Sequence, residues 1–179
     1  WCIDRFGEEH QCRFKQQSKF QAEVAQATVA NQDIWLLKPL TYMNHSGRAV
    51  QAMMSFYKFD VSELLVIHDE IDLPPGTVRF KTGGGHGGQN GLRDIINSLG
   101  NPNFSRLRIG VGHPGDKHKV VNHVLGRAGK DEQQSINEAI VRVVDNLPLI
   151  IKGNSQKAMN ALHTDIDKQN KKKSSEHKS

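Results

Sequence analysis

The chain of 179 residues is long enough for one compact domain and short for two, and 36% hydrophobic residues with a mean hydropathy of -0.57 are typical of a soluble globular protein. Its longest apolar runs, such as residues 147–151, are far shorter than the roughly 18 residues that span a bilayer. Residues 168–179 hold five lysines and one glutamate, so they supply +4 of the formal net charge of +5 and exclude a broadly basic body.

The first part of the chain predicts the end of a helix and then a β-hairpin. Residues 1–9 are predicted to be helical. Apolar and polar residues alternate over 20–30, the polar residues 31–33 follow, and 34–37 form a second apolar run. Two alternating runs joined by Asn and Asp residues are typical of a hairpin.

A helix and a buried strand are predicted next. Ser46 is a suitable N-cap for a helix over 47–58, where apolar residues recur at helical spacing. We expect Met53 and Met54, within this helix, to belong to the core. The short apolar run 64–67 is typical of a buried central strand.

The second half of the chain alternates strands with helices. Strands are expected over 78–81 and 106–111, and helices over 92–99, 120–125, 131–151 and 155–163. Such alternation predicts an α/β fold. The predicted architecture is a single-domain three-layer α/β sandwich with a twisted mixed, largely parallel sheet.

The most unusual stretch is residues 81–92, where six glycines fall within nine positions between a predicted strand and a predicted helix. Glycine has no Cβ, so its backbone N–H groups approach a ligand closely and its φ turns positive at little cost. The stretch therefore predicts backbone contact with a ligand. A long flexible turn is the alternative.

Two nucleotide sites are disfavoured at this glycine loop. Gly83, Gly85 and Gly88 match the G-x-G-x-x-G spacing of dinucleotide sites, but the acid expected about 20 residues later is absent, because residues 106–108 are Arg-Leu-Arg. A P-loop requires Gly-Lys-Ser/Thr, whereas Gln and Asn occupy positions 89–90.

Three polar clusters are expected at strand ends, namely residues 42–44, residues 68–70 and the glycine loop with Asn90. Ligands bind at the carboxyl ends of strands in open α/β sheets, so we expect these clusters to meet at one edge. Asp69 directly follows an apolar run and suits a carboxylate that orients a His base. Side-chain amides, as in Asn44 and Asn90, suit a peptide backbone or an oxyanion. Turn and cap residues are the alternative for both.

A metal site is a further alternative, because His and acidic side chains lie close in sequence at His68, Asp69, Glu70 and Asp72, with His86 and His113 elsewhere. Adjacent strand residues point to opposite faces, so His68 and Asp69 do not easily share a metal. Cys2 and Cys12 have no metal spacing and favour reduced thiols.

The combined motifs resemble bacterial peptidyl-tRNA hydrolase. The resemblance rests on residues 41–47, 68–76, 81–92, 101–104 and 106–116. It covers about residues 1–165 and implies one catalytic domain there, followed by a basic, disordered tail over 166–179. It also implies a cytoplasmic, monomeric esterase without cofactor or metal, which hydrolyses the ester between a peptide and the tRNA 3′ ribose and so recycles tRNA from stalled translation.

The resemblance also implies roles for individual residues. In the family a His acts as general base on water, and Asp69 occupies the position of the carboxylate that orients it. Four residues are expected to line the substrate site: Tyr42, Met43, Asn44 and Asn90. Three cations are expected near tRNA phosphates: Lys81, Arg108 and Lys117. A solvated role is the alternative for these cations.

Two departures from the family pattern concern the loop and the N-terminus. Gln89 stands where the family often has His, so local contacts are expected to differ. The family's first strand and its catalytic His precede the Trp that matches Trp1. We therefore expect about 20–30 further residues upstream, including the general base, and little hydrolysis by these 179 residues alone. A non-catalytic tRNA-binding protein that uses the same surface is the alternative function.

Overall fold

The structure, a computed structural model, describes residues 2–40, 45–112 and 130–163. It divides into two compact units. The first unit consists of Trp1–His68 and Lys81–Leu107, and the second of Asp69–Phe80 and Arg108–Ser179. The predicted helix at 120–125 and the predicted tail at 166–179 lie outside the described residues.

Helices and strands alternate as predicted, and the mixed α/β class is confirmed. The helices are α1 (Cys2–Glu9), α2 (Ser46–Tyr57), α3 (Asn90–Leu99), α4 (Lys130–Ile151) and α5 (residues 155–163). The strands are β1 (Lys15–Gln17), β2 (Ala22–Val29), β3 (Gln32–Pro39), β4 (Leu65–Glu70), β5 (Val78–Thr82) and β6 (Ser105–Gly110). These strands form two three-stranded sheets.

The first sheet is antiparallel, with the order β1-β2-β3. Val29 pairs with Gln32, so the hairpin turn is Ala30-Asn31, one residue earlier than predicted. Both turn residues have positive φ, 53° and 60°, as the twist of a two-residue hairpin turn requires. Lys38 of β3 joins α1 to the sheet, because its Nζ lies 2.5 Å from Asp4 Oδ1 and 3.1 Å from Glu23 Oε2.

The second sheet has the order β4-β6-β5, so β6 is its middle strand. The Ser105 amide donates to the Leu64 carbonyl and the Val111 amide to the Glu70 carbonyl, a constant offset that makes β4 and β6 parallel. The prediction of a buried central strand at 64–67 is wrong, because these residues are half-buried in a strand at the end of the sheet order.

Strand β5 runs antiparallel to β6. The Gly83 amide donates to the Phe104 carbonyl, and the Gly110 amide donates to the Thr77 carbonyl. The paired residue numbers rise along β6 as they fall along β5, which defines an antiparallel pair. The second sheet is therefore mixed, as predicted. The expectation that the sheet is largely parallel is wrong for the described strands, because β4 and β6 are the one parallel pair among them.

The core of the first unit lies on both sides of α2. Ala49 and Met53 pack with residues of the first sheet, and Val50 packs with Leu92 and Ile95 of α3. Met54 packs against this second group as well. The expectation that both methionines belong to the core is confirmed.

The N-terminus of α2 is capped from another helix. The Gly47 amide donates to Asp94 Oδ2 of α3 at 2.7 Å. A Cβ at Gly47 would lie 2.4 Å from the Asp94 carbonyl oxygen, so the two helices approach too closely for a larger residue. The predicted N-cap at Ser46 is wrong, because Ser46 is the first helical residue and a tertiary carboxylate satisfies the amide after it.

In the second unit, α4 buries one face, whose residues recur at three- and four-residue spacing: Ile136, Ala139, Ile140, Val143 and Leu147. Helix α4 begins one residue before the predicted range and ends where predicted. Within residues 2–40, 45–112 and 130–163, no helix is long and apolar enough to cross a membrane.

Candidate functional site

The predicted site residues are distributed over both units. Lys81 and Asn90 belong to the first unit, and Asp69 and Arg108 belong to the second. The other four predicted residues lie outside the described residues: Tyr42, Met43, Asn44 and Lys117. The glycine loop does not follow a strand that is parallel to β6, because β5 is antiparallel to β6. A common site therefore stays a prediction.

The glycine loop adopts a backbone that only glycine forms readily. Gly83, Gly84, Gly87 and Gly88 have φ between 56° and 90°. Gly85 differs, because its φ is not positive and a Cβ placed on it would meet no atom of the described residues within 4 Å. The loop therefore uses most of its glycines for its turns and leaves open space at Gly85.

A buried guanidinium fixes the first half of this loop. Arg106 of β6 is 1% exposed and donates from Nη1 to the Gly85 carbonyl at 2.7 Å. Its Nη2 donates to the carbonyls of Gly84 at 2.8 Å and Pro102 at 2.6 Å. The guanidinium carbon also lies 4.6 Å from the centre of the Phe104 ring. These contacts argue against a flexible turn.

The turn before β6 supports the same region. Asn101 Oδ1 accepts from the Asn103 amide at 2.9 Å, an arrangement that closes an Asn-initiated turn. The Phe104 carbonyl accepts from the Gly83 amide at 3.1 Å. A Cβ at Gly83 would lie 3.2 Å from Asn103 Oδ1, so the loop and this turn are in close contact.

The second half of the loop leads into α3 through a side-chain cap. Gln89 Oε1 accepts from the Leu92 amide at 2.6 Å, which makes Gln89 the N-cap residue. His86 accepts twice, from the Gly88 amide at Nδ1 and from the Gln89 amide at its carbonyl, both at 3.0 Å. Gln89 therefore has a defined role at the position where the family often has His.

Asn90 is the first residue of α3 and is exposed. The alternative that Asn90 caps this helix is wrong, because Gln89 supplies the cap. Among the residues described, the Asn90 side-chain amide makes no hydrogen bond. Its donor and acceptor both remain accessible to a ligand.

Lys81 lies beside the loop backbone and is exposed. A Cβ at Gly84 would lie 2.6 Å from Lys81 Nζ, so the ammonium group sits directly over this glycine. The loop therefore combines a cation with accessible backbone, which favours an anionic ligand at this edge.

The second unit holds the acidic part of the predicted site. Asp69 is half-buried near the end of β4, and Glu70 after it is 6% exposed. Glu70 Oε1 lies 4.0 Å from Arg108 Nη1. Burial raises the pKa of the Glu70 carboxyl, Asp72 raises it further, and Arg108 lowers it. Because only 28% of its side chain is exposed, Arg108 has a small surface for a phosphate.

The turn after these acids is fixed by hydrogen bonds. The Gly76 amide donates to the Gly110 carbonyl, and Arg142 Nη2 of α4 donates to the Gly76 carbonyl at 2.6 Å. A Cβ at Gly110 would lie 2.1 Å from the Pro74 carbonyl oxygen. Hydrogen bonds therefore fix the segment 69–76 at its C-terminal end.

The burial of two charged residues, Arg106 and Glu70, was not predicted from the sequence. Arg106 and Arg108 lie on the same face of β6 and alternate with apolar residues. This pattern was the available signal that one of the two arginines is buried and bonds to backbone groups instead of water. For Glu70, the available signal of burial was its position shortly after the apolar run 64–67. In the part of the chain that the structure describes, no three His, Cys, Asp or Glu side chains form a group able to hold a metal ion.

Comparisons with known proteins agree in their result. The family model described as peptidyl-tRNA hydrolase matches residues 1–174. Peptidyl-tRNA hydrolase of Xanthomonas campestris pv. campestris is 51% identical over 162 residues, which are 90% of this chain and 84% of that protein. That of Pectobacterium atrosepticum is 51% identical over 164 residues, 91% and 84% of the two chains. The crystal structure of peptidyl-tRNA hydrolase from Acinetobacter baumannii superimposes with a TM-score of 0.87 at 41% identity, and the match covers 91% of this chain and 83% of that one.

Proposed function

This chain belongs to the peptidyl-tRNA hydrolase family of ester hydrolases. On that premise we propose which of its residues bind the substrate and which take part in hydrolysis. The glycine loop and Asn90 hold the peptidyl end of the substrate, and Asp69 serves the hydrolytic step. The observation that carries the proposal is the exposed Asn90 amide, because Gln89 caps α3 and leaves this amide accessible to a ligand at the end of the glycine loop.

The proposed reaction is general-base hydrolysis. A His takes a proton from water, and the resulting hydroxide attacks the carbonyl carbon of the ester between peptide and tRNA. The tetrahedral intermediate then breaks its bond to the ribose oxygen, which leaves as a hydroxyl after it receives the proton. Asp69 orients the imidazole and stabilises its cationic form between these two steps.

The peptidyl end is held by amides and backbone. Asn90 offers an N–H donor and a carbonyl acceptor to the peptide, and we assign the same task to Asn44. Gly47 follows Asn44 by three residues, and its amide bonds to Asp94, one turn after Asn90. Helix α2, which follows Asn44 in the chain, is therefore joined to α3, which begins at Asn90. Tyr42 and Met43 complete the proposed lining.

The tRNA is held by a few placed cations. Lys81, Arg108 and Lys117 contact phosphates in this proposal, which agrees with the small charge of +1 outside residues 168–179. The exposed ammonium of Lys81 beside the loop supports its assignment. We further propose that the protein acts in the cytoplasm as a monomer, without a metal ion.

The test is the change Asp69→Ala in the protein produced from its complete gene. With N-acetylaminoacyl-tRNA as substrate, we expect kcat to fall about 10²- to 10⁴-fold, because the base loses its orienting carboxylate. The affinity for deacylated tRNA, measured by fluorescence titration, should change less than threefold. Dialysis against EDTA should leave the turnover of the unmodified protein unchanged.

Asp145→Ala is the matched control, since Asp145 is an exposed carboxylate on α4. It should retain normal kcat and affinity. An Asp69→Ala protein with normal turnover would refute the assigned role of Asp69. An unmodified protein that binds tRNA without turnover would support the alternative of a non-catalytic tRNA-binding protein.

A further inference from the structure

We propose that Arg106 is a positioning residue for the peptidyl-binding edge of the glycine loop. Its guanidinium is inside the protein and donates to carbonyl groups of the loop, so it acts on the substrate through the backbone. The inference rests on the proposed function, because it assumes that the loop and Asn90 hold the peptidyl group.

The Arg106 guanidinium and the three carbonyl groups that it contacts form a clamp. The geometry of this clamp is specific to arginine. One planar group reaches the carbonyls of Gly84, Gly85 and Pro102 at 2.6–2.8 Å. Lysine offers a single ammonium, which cannot reproduce the spacing of a guanidinium fork. Hydrogen bonds from a charged donor are about twice as strong as neutral ones, and the complete burial of Arg106 removes competing water.

Hydrogen bonds connect this clamp to Asn90. The clamp holds the Gly85 carbonyl, and His86 follows it directly in the chain. The His86 carbonyl accepts from the Gln89 amide, and the Gln89 side chain caps the helix that begins at Asn90. A displacement at Gly85 therefore shifts the His86 carbonyl, the cap and the first turn of α3 together.

The clamp also gives a role to the turn at 101–104. Pro102 supplies one of the three carbonyls, and Phe104 stacks against the guanidinium. The Asn101 side chain closes the turn by accepting from the Asn103 amide. Arg106 thus joins this turn to the glycine loop, and the two segments form one rigid platform.

The test compares two ligands of the protein produced from its complete gene. One is tRNA with an N-acetylaminoacyl group in a non-hydrolysable amide linkage at its 3′ end, and the other is the same tRNA deacylated. The ratio of their two Kd values measures the contribution of the peptidyl group alone. In Arg106→Lys we expect this ratio to fall about tenfold or more, because misplacement by about 1 Å is enough to lose a well-oriented contact. The affinity for deacylated tRNA should stay within twofold.

Arg142→Lys is the matched control, because Arg142 also donates to a glycine carbonyl, that of Gly76, but in the second unit. Both variants should melt at a lower temperature, and only Arg106→Lys should change the ratio. If Arg106→Lys does not fold, Asn101→Ala loosens the same platform and should lower the ratio about threefold.

The possible results separate the inference from the function on which it rests. A normal ratio in Arg106→Lys and Asn101→Ala, beside a clear preference of the unmodified protein for the acylated ligand, would reduce Arg106 to a structural role and overturn the inference alone. No preference in the unmodified protein would overturn the proposed use of the loop and the inference with it.

Discussion

At the scale of single residues, the glycines of the loop perform two different tasks. Gly83, Gly84, Gly87 and Gly88 have positive φ and are needed for the turns of the backbone. Gly85 is needed for neither conformation nor packing inside the protein, since its φ is ordinary and its surroundings are open. We infer that the missing side chain at Gly85 leaves room for a ligand.

This inference predicts the behaviour of Gly85→Ala. The free energy of unfolding should stay equal or rise by about 0.4–1 kcal/mol, because alanine fits this backbone and restricts the unfolded chain. The added methyl group should nevertheless lower kcat/KM on N-acetylaminoacyl-tRNA by about tenfold, since it occupies the space next to the peptidyl group. Urea denaturation and steady-state kinetics measure the two quantities.

Gly100→Ala is the opposite control. Gly100 ends α3 at a φ of 67° with open space around it, so alanine should cost about 1 kcal/mol of stability and leave kcat/KM unchanged. Unchanged kinetics in Gly85→Ala would show that no substrate group approaches this glycine.

At the scale of elements, the first unit depends on contacts between helices that are distant in sequence. The N-terminus of α2 has no side-chain cap of its own, and Asp94 of α3 supplies the acceptor for the Gly47 amide. A carboxylate near a helix N-terminus also interacts favourably with the helix dipole. The same two helices share the core residues Val50, Leu92 and Ile95.

Asp94→Ala should therefore lower the free energy of unfolding by about 1 kcal/mol, the typical cost of a lost helix cap. Asp94→Asn retains an acceptor oxygen without the charge and should lose less. Chemical denaturation gives both values, and Glu138→Ala, on the exposed face of α4, provides a control expected within about 0.5 kcal/mol of the parent protein. Equal stability of Asp94→Ala and the parent would mean that water replaces this cap without loss.

At the scale of the whole molecule, charge is distributed unevenly along the chain. The segment 168–179 carries +4, and the rest of the chain carries +1. In the proposed assignment, affinity for tRNA depends on three cations: Lys81, Arg108 and Lys117. Each phosphate neutralised by a cation releases counterions, which makes the affinity depend on salt.

We expect the logarithm of the tRNA association constant to fall with the logarithm of salt concentration with a slope of about -2 to -3, one unit for each of three phosphates. Lys81→Ala should reduce this slope by about one. Lys152→Ala, which removes an exposed lysine near the end of α4, is the control and should keep the slope. An unchanged slope in Lys81→Ala would remove Lys81 from the proposed tRNA contacts. Fluorescence titration of deacylated tRNA from 50 to about 300 mM salt measures each slope.

The sequence by itself determined the elements whose signals are local. The ends of β2 and of α4 agree with the expected ranges within one or two residues, because alternation, helical spacing and turn residues act between near neighbours. The glycine loop was also evident, since few other structures require six glycines in nine residues. The family followed from several such motifs taken together.

Tertiary structure decided the features that depend on distant residues. It placed β6 rather than β4 in the middle of the second sheet, and it made Asp94, not Ser46, the cap of α2. It also buried Arg106 against carbonyls of the loop, at positions 21 and 22 residues away. A buried charged side chain needs hydrogen-bond partners inside the protein, and those partners are chosen by the fold rather than by neighbours in the sequence.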